Sequence, residues 1–282
     1  MKRITRIALA ACATTLAAGP AGANHSWGNY HWARTSNPVA LKVNTALTGN
    51  WGQYVGPAIS QWDQSNVLAL SGPAAVSANT KKCDPIAGQV LVCNALYGQR
   101  GWLGIASIWA NGDHITQATT KLNDTYFNTA RYNTPAWRAM VACQEIGHDF
   151  GLGHVNETFT DPNTGSCMDY TNDPAGTAGT NGTKANTAPN QHDYDQLASI
   201  YGHLDSSTTA TASTNFGLRQ VGRPVPQPLP REGVGDTMAD WGTPVHRDGK
   251  GRPDVFVKSL GGGHKVITHV FWALEAKGTE AH

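Results

Sequence analysis

The apolar positions in the first two thirds of the chain predict both strands and helices. Val39, Leu41 and Val43 alternate with Ala, Lys and Asn, as in a half-buried strand. From Trp51 onward the apolar residues recur at helical spacing, and Pro57 weakens that helix or delays its start. The runs QVLVCNALYG, GWLGIASIWANG and HITQATTKLN then predict three further strands.

Two more helices are predicted after these strands. In NTPAWRAMVACQEIGHDFG, Thr134 can cap a helix, Pro135 suits its first turn and Gly151 suits its end. The segment PNQHDYDQLASIYGHL predicts the last helix of this region. Residues 24–204 are therefore expected to form one α+β domain.

The composition changes after Leu204. Residues 205–233 begin with a Ser/Thr-rich stretch, and proline then occupies every second position from Pro224 to Pro230, which predicts a linker. Within 234–282, DVFVKSLGGGHKVITHVFWA predicts a β-hairpin, with WGTPVH as a candidate third strand. We expect a small β appendage that is dispensable for chemistry.

The first residues are typical of an export signal. A basic start is followed by an apolar run and by the small residues Ala21 and Ala23, which predicts a signal peptide over 1–23 and a secreted protein. The run is shorter than the roughly 20 apolar residues of a membrane span, so no transmembrane segment is expected. Lipoprotein anchoring through Cys12, in the sequence LAAC, is the alternative.

Charge and cysteine content narrow the class of protein. The net charge is +1 and only 15 % of residues are charged, so bulk charge indicates no nucleic-acid partner. We expect a monomer. Without the signal peptide four cysteines remain, an even number that predicts two disulfides in an oxidising compartment and allows three pairings.

The stretch CQEIGHDFGLGH carries the candidate chemistry. Residues 144 and 148 lie one helical turn apart, so Gln144 and His148 can reach one ion, and Glu145 lies beside them. Gly151 lets the chain turn sharply and bring His154 in as a third ligand. Three protein ligands leave a fourth position open, as in catalytic zinc sites, with Glu145 as the general base.

Residues 145–154, followed by SCMDY, resemble the metzincin clan of zinc endopeptidases. EIGHDFGLGH is closest to the matrixin form, whereas Met168-x-Tyr170 is more like the Met-turn of astacins and serralysins. The resemblance covers about residues 31–204. It implies a mixed twisted sheet with helices, an active-site helix, one catalytic zinc ion, and protein or peptide substrates.

The resemblance also implies roles for residues around the metal. Met168 forms an apolar floor beneath it, and Tyr170 binds the metal or steadies the oxyanion. Cys143 and Cys167 adjoin the first ligand position and Met168, so we favour Cys143–Cys167 and Cys83–Cys93 as disulfides. A Cys83–Cys143 pairing is the competitor.

Gln144 departs from the clan pattern, which has histidine at the first ligand position. A glutamine carbonyl oxygen can still bind zinc, but a neutral amide donates less electron density than an imidazole nitrogen. A working endopeptidase is therefore the first hypothesis, and a catalytically weak or inactive binding module is the second. Asp169, Asn172 and Asp173 can bind calcium or simply form turns.

Overall fold

The computed structural model describes residues 25–179, 181–211 and 233–276, and these form a mixed α+β fold. The predicted signal peptide, Cys12 and most of the predicted linker lie outside the described residues. The strands are β1 His31–Trp32, β2 Val39–Ala46, β3 Leu68–Ala75, β4 Val90–Ala95, β5 Trp102–Asn111, β6 His114–Asn123, β7 Thr243–Arg247, β8 Pro253–Gly261 and β9 His264–Trp272. The helices are α1 Gly52–Trp62, α2 Asp124–Phe127, α3 Pro135–His148, α4 Gln191–Ile200 and α5 Met238–Trp241.

One mixed sheet runs through the fold in the order β3-β2-β4-β6-β5-β9-β8-β7, with the short β1 paired to the start of β6. The pairs among β3, β2, β4 and β6 are parallel. From β6 onward every pair is antiparallel. The sheet therefore has a parallel half and an antiparallel half, which join at β6 and β5.

The C-terminal strands are part of this sheet rather than an appendage. β9 lies between β5 and β8, and its register pairs Ala106 with His269 and Ile105 with Val270. The side chains of Val270 and Phe271 are fully buried. Apolar residues on both faces of β9 explain this position, because a strand that packs on two sides belongs in a sheet interior.

Helices α1 and α3 belong to the main hydrophobic core, where Trp62 of α1 donates from Nε1 to the Cys143 carbonyl of α3 at 3.0 Å. Thr134 caps α3 as predicted, accepting a hydrogen bond from the Trp137 N–H, and Pro135 occupies the first turn. Helix α1 starts before Pro57 and includes it. No helix in the described ranges is long and apolar enough to cross a membrane.

The sequence prediction missed β3 and anticipated both disulfides. β3 contains Gly72 and Pro73, which interrupt the apolar alternation that identifies a strand. Its pairing with β2 still holds it in the sheet. The bonds Cys83–Cys93 and Cys143–Cys167 are both present, so the favoured pairing is confirmed.

Candidate metal centre

Helix α3 delivers the candidate residues into the core beside the Met168 turn. Gly147 lies directly against Met168, and a Cβ at that position would collide with the methionine sulfur. At the helix end Gly151 has φ of +94°, and a side chain there would strike the Tyr30 carbonyl oxygen. These two glycines allow His148, His154 and the Met168 turn to pack closely.

Three histidines converge at this place: His148, His154 and His269, with ligand atoms all within 4.8 Å of one another. His148 and His154 were predicted, whereas His269 comes from β9. Among the described residues, the buried atoms His148 Nε2, His154 Nε2 and His269 Nδ1 have no hydrogen-bond partner. Buried polar atoms rarely remain unpaired, so these three nitrogens are candidate metal ligands.

The opposite nitrogen of two of these rings is held by an acceptor. His148 Nδ1 lies 2.7 Å from the Leu152 carbonyl oxygen, and His154 Nδ1 lies 3.1 Å from Glu157 Oε1. An acceptor at one nitrogen keeps the proton there and leaves the lone pair on the other nitrogen. Both rings are thus oriented with Nε2 available for a metal.

His269 is oriented from the other side of the site. Its Nε2 lies 3.3 Å from the Tyr170 hydroxyl and 3.9 Å from Asp254 Oδ2. Its Nδ1 lies 3.9 Å from Glu145 Oε2, so it faces the interior of the site. Metal binding at Nδ1 requires the proton on Nε2, where Tyr170 and Asp254 can accept it.

Burial favours the neutral form of two histidines of this cluster, His148 and His269. Burial lowers the pKa of His148 well below its usual value, and the neighbouring His154 lowers it further. Burial likewise lowers the pKa of His269, followed by the charges of His148 and His154. Because only neutral imidazole binds a metal ion, the site is prepared for one.

Glu145 is fully buried next to the histidines. A Cβ on Gly104 of β5 would come within 2.7–2.9 Å of the Glu145 side chain, so the missing side chain at 104 makes room for it. Burial, then the charge of Asp149, raises the pKa of Glu145 well above its usual value. Neither carboxyl oxygen has a hydrogen-bond partner in the described ranges.

Gln144 is buried beside these groups and binds the Met168 turn. Its Nε2 donates to the Cys167 carbonyl at 2.7 Å, alongside the Cys143–Cys167 disulfide. Its Oε1 is buried and has no hydrogen-bond partner among the described atoms. A metal-binding role for that oxygen stays a prediction, and His269 is a third imidazole in the group that could hold a metal ion.

Tyr170 lies within the site, against two of the histidines. Its ring centroid is 4.1 Å from that of His154, and it stacks on Phe159 at 4.8 Å. Burial, then the charge of Asp254, raises its pKa well above the usual value, so the phenol stays protonated. The sequence predicted a direct catalytic role, and its closest polar contact here is with His269.

A cleft of about 360 Å³ borders the histidines. Its lining includes His148, His154 and His269, together with Trp27 from the N-terminal segment and Val255 from β8. Trp27 lies edge-on to His148 at 5.5 Å between ring centroids. The C-terminal strands therefore supply both a candidate ligand and one wall of the cleft.

The donor set fits zinc. Three imidazoles with a fourth position open are a known catalytic zinc arrangement, and neighbouring unpartnered nitrogens meet its demand for lone pairs. His154 also lies near Glu157 and Asp254 in a second group that can hold a metal. A metal ion in this second group would use His154 Nδ1, which already contacts Glu157. It would therefore compete with the ring orientation that leaves His154 Nε2 for the first group.

The predicted calcium residues are used within their own loop. Asp169 Oδ2 accepts bonds from Thr164 and from Asn186 Nδ2. Asp173 Oδ2 accepts from the Ala178 N–H. In the part of the chain that the structure describes, neither carboxylate belongs to a group of three or more metal-capable side chains. Both therefore act as loop acceptors.

A scan against protein-family models matches no family, and a search of curated proteins finds no significant relative.

Sequence reasoning missed His269, because no local spacing links β9 to α3. A weak signal was present: His269 interrupts the apolar run VITHVFW, in which every residue is buried. A histidine in such a strand needs a partner, and the partner here is the cluster on α3 and the turn after it.

Proposed function

We propose that this protein is a zinc-dependent endopeptidase of metzincin-like design, with His148, His154 and His269 as ligands and Glu145 as general base. The observation that carries the proposal is the convergence of three unpartnered imidazole nitrogens beside a buried carboxyl group in the described residues. The active-site helix, the methionine turn and the mixed sheet support the metzincin likeness.

Zinc bound by these imidazoles would polarise a peptide carbonyl and lower the pKa of water. Glu145 then takes a proton from the attacking water and delivers it to the departing amine nitrogen. Gly104 leaves room for this carboxyl group against β5, and Tyr170 orients His269 through its hydroxyl. The cleft between Trp27 and the C-terminal strands admits the peptide.

The decisive experiment compares the protein with Glu145→Gln, which retains the shape of the side chain but cannot accept the proton. We expect cleavage of a denatured generic protein to fall by about 10²–10⁴-fold, while bound zinc is unchanged. Chelation should abolish wild-type cleavage, and added zinc should restore it. Undiminished cleavage by Glu145→Gln would overturn the proposal.

A binding module without turnover is the second candidate, and the burial of Glu145 favours it. The carboxyl group has no exposed surface and does not line the cleft that the three histidines border. Peptide cleavage by the zinc-loaded protein distinguishes the two candidates. A protein that binds zinc and protein ligands through this cleft, yet cleaves no peptide at any zinc concentration, is the binding module.

A further inference from the structure

A row of four ionisable side chains leads from the C-terminal strands to the candidate ligand His154. Asp254 Oδ1 of β8 lies 2.8 Å from His246 Nδ1 of β7. His246 Nε2 lies 3.6 Å from Glu157 Oε2, and Glu157 Oε1 lies 3.1 Å from His154 Nδ1. The row therefore connects two strands at the end of the chain with the turn after α3.

His246 is held between two carboxylates. Asp254 is fully buried, and a carboxylate accepts hydrogen bonds, so His246 Nδ1 carries a proton. Burial lowers the pKa of His246, but the hydrogen bond and charge of Asp254, followed by the charge of Glu157, outweigh it and raise the pKa above its usual value. A protonated ring has an N–H on each side, so it can bind both carboxylates.

The backbone of β7 is irregular at this histidine. The register between β7 and β8 shifts on both sides of His246, next to Pro244 and next to Arg247. Such irregularities in a strand pair turn a side chain to a new direction. All five residues of β7 are exposed, and His246 is one of the two that line the cleft beside the candidate ligands.

Glu157 needs a second partner if it is to hold His154 in one orientation. Its side chain is 28 % exposed and has several rotatable bonds, so fixing it costs conformational entropy. One carboxylate oxygen contacts His154 and the other faces His246. The turn between β7 and β8 also packs here, because a Cβ on Gly249 would collide with the Glu157 carbonyl oxygen.

We propose that His246 is a positioning residue for the candidate ligand His154, which it orients through Glu157 while Asp254 holds its own ring. This inference rests on the proposed zinc centre. An acceptor at His154 Nδ1 keeps Nε2 free for the metal, and partners of this kind set the direction and basicity of a ligating imidazole. The strands β7 and β8 thereby act on the centre from outside the ligand set.

Zinc titration of the full chain tests the proposal without any need for cleavage. His246→Ala should weaken zinc binding by about 10-fold, the lower end of the loss that follows when a partner of a ligating histidine is removed. The His246 side chain is 47 % exposed, which favours normal folding of the variant. Thr243→Ala is the matched control, since Thr243 is an exposed residue of the same strand that lies outside the described lining of the cleft.

Two conservative variants separate the two ring nitrogens. Asparagine can place its amide nitrogen near the position of Nδ1, and glutamine can place its own near the position of Nε2. His246→Gln should therefore bind zinc more tightly than His246→Asn, because it keeps a donor towards Glu157. In a Glu157→Gln background, His246→Ala should add little further loss, since both changes act on the same ligand.

Visible absorption of the cobalt(II)-loaded proteins adds a readout of ligand geometry. The bands should shift in His246→Ala and stay in place in Thr243→Ala. The inference is overturned if His246→Ala matches the wild type in zinc affinity and cobalt spectrum, or if His246→Asn and His246→Gln lose zinc equally. Weaker zinc binding by His246→Ala in a protein that cleaves no peptide would support this inference and overturn the endopeptidase alone. A wild type that binds no zinc would overturn both.

Discussion

Two regions contribute to the same candidate centre in opposite ways. One is helix α3 with the turn that follows it, and the other is strand β9. The helix region supplies Glu145, His148 and His154 from one short stretch, whose spacing was readable in the sequence. β9 supplies His269 alone, through pairing with β5. A motif that is recognised from local spacing can thus look complete and still lack a candidate ligand that lies on a distant strand.

The two regions also differ in how their side chains are fixed. His148 and His154 are held by close neighbours in sequence, Leu152 and Glu157. His269 is held by Tyr170 and Asp254, which lie on other segments. Changes in β9 should therefore disturb the centre through long-range contacts, whereas changes in the helix act locally.

The largest expected effect comes from His269→Ala. If β9 supplies a ligand, this variant should lower zinc affinity at the cleft by more than about 100-fold and abolish cleavage. His264→Ala, at the start of the same strand, is the control and should leave both unchanged. Zinc titration of the two proteins checks this, and equal affinities would remove β9 from the centre.

Gly104→Ala should have the next largest effect on turnover. The new methyl group would come within 2.7–2.9 Å of the Glu145 side chain and force it to move. We expect cleavage to fall by about 100-fold with zinc binding retained, because a small displacement of a general base is costly. Steady-state kinetics and zinc content test this together. A loss of zinc instead would mean that the sheet itself has shifted.

Gln144→Ala should act less strongly than His269→Ala. It removes the unpartnered Oε1 and the hydrogen bond to Cys167, so zinc affinity should fall by about 10-fold.

Gln144→His should tighten zinc binding without a matching gain in turnover, since a more electron-rich zinc polarises water less. Should Gln144→Ala lose more zinc than His269→Ala, the helix alone supplies the ligands.

Tyr170→Phe is expected to produce the smallest change. It removes the hydroxyl near His269 Nε2 and keeps the ring stacked on Phe159. As an orienting contact, its loss should weaken zinc binding by about 10-fold at most. A direct role at the oxyanion would instead lower kcat and leave zinc affinity intact, so kinetics and titration together distinguish the two.

Local chemistry explains which parts of the fold were predictable. The Thr134 cap, the glycine at 151 and the strand-like runs of β4 to β6 each depend on a few neighbouring residues. The Cys143–Cys167 pairing followed from the expected contact between helix and turn, and it is confirmed. Such features need no knowledge of distant segments.

The remaining features depend on pairing between distant strands. β3 escaped prediction because Gly72 and Pro73 break its pattern, and its edge pairing with β2 decides its structure. The C-terminal hairpin was predicted, but its docking on β5 was not, since a hairpin sequence does not specify which strand it will join. His269 was missed for the same reason.

The position of β9 also sets the order in which the centre can be assembled. β9 follows every other described strand along the chain, yet it lies between β5 and β8. Contacts of such large sequence separation form late in folding, because a long loop must close first. A chain that has not yet closed β9 onto β5 has only two of the three imidazoles. Assembly of the candidate centre is thus coupled to the completion of the fold.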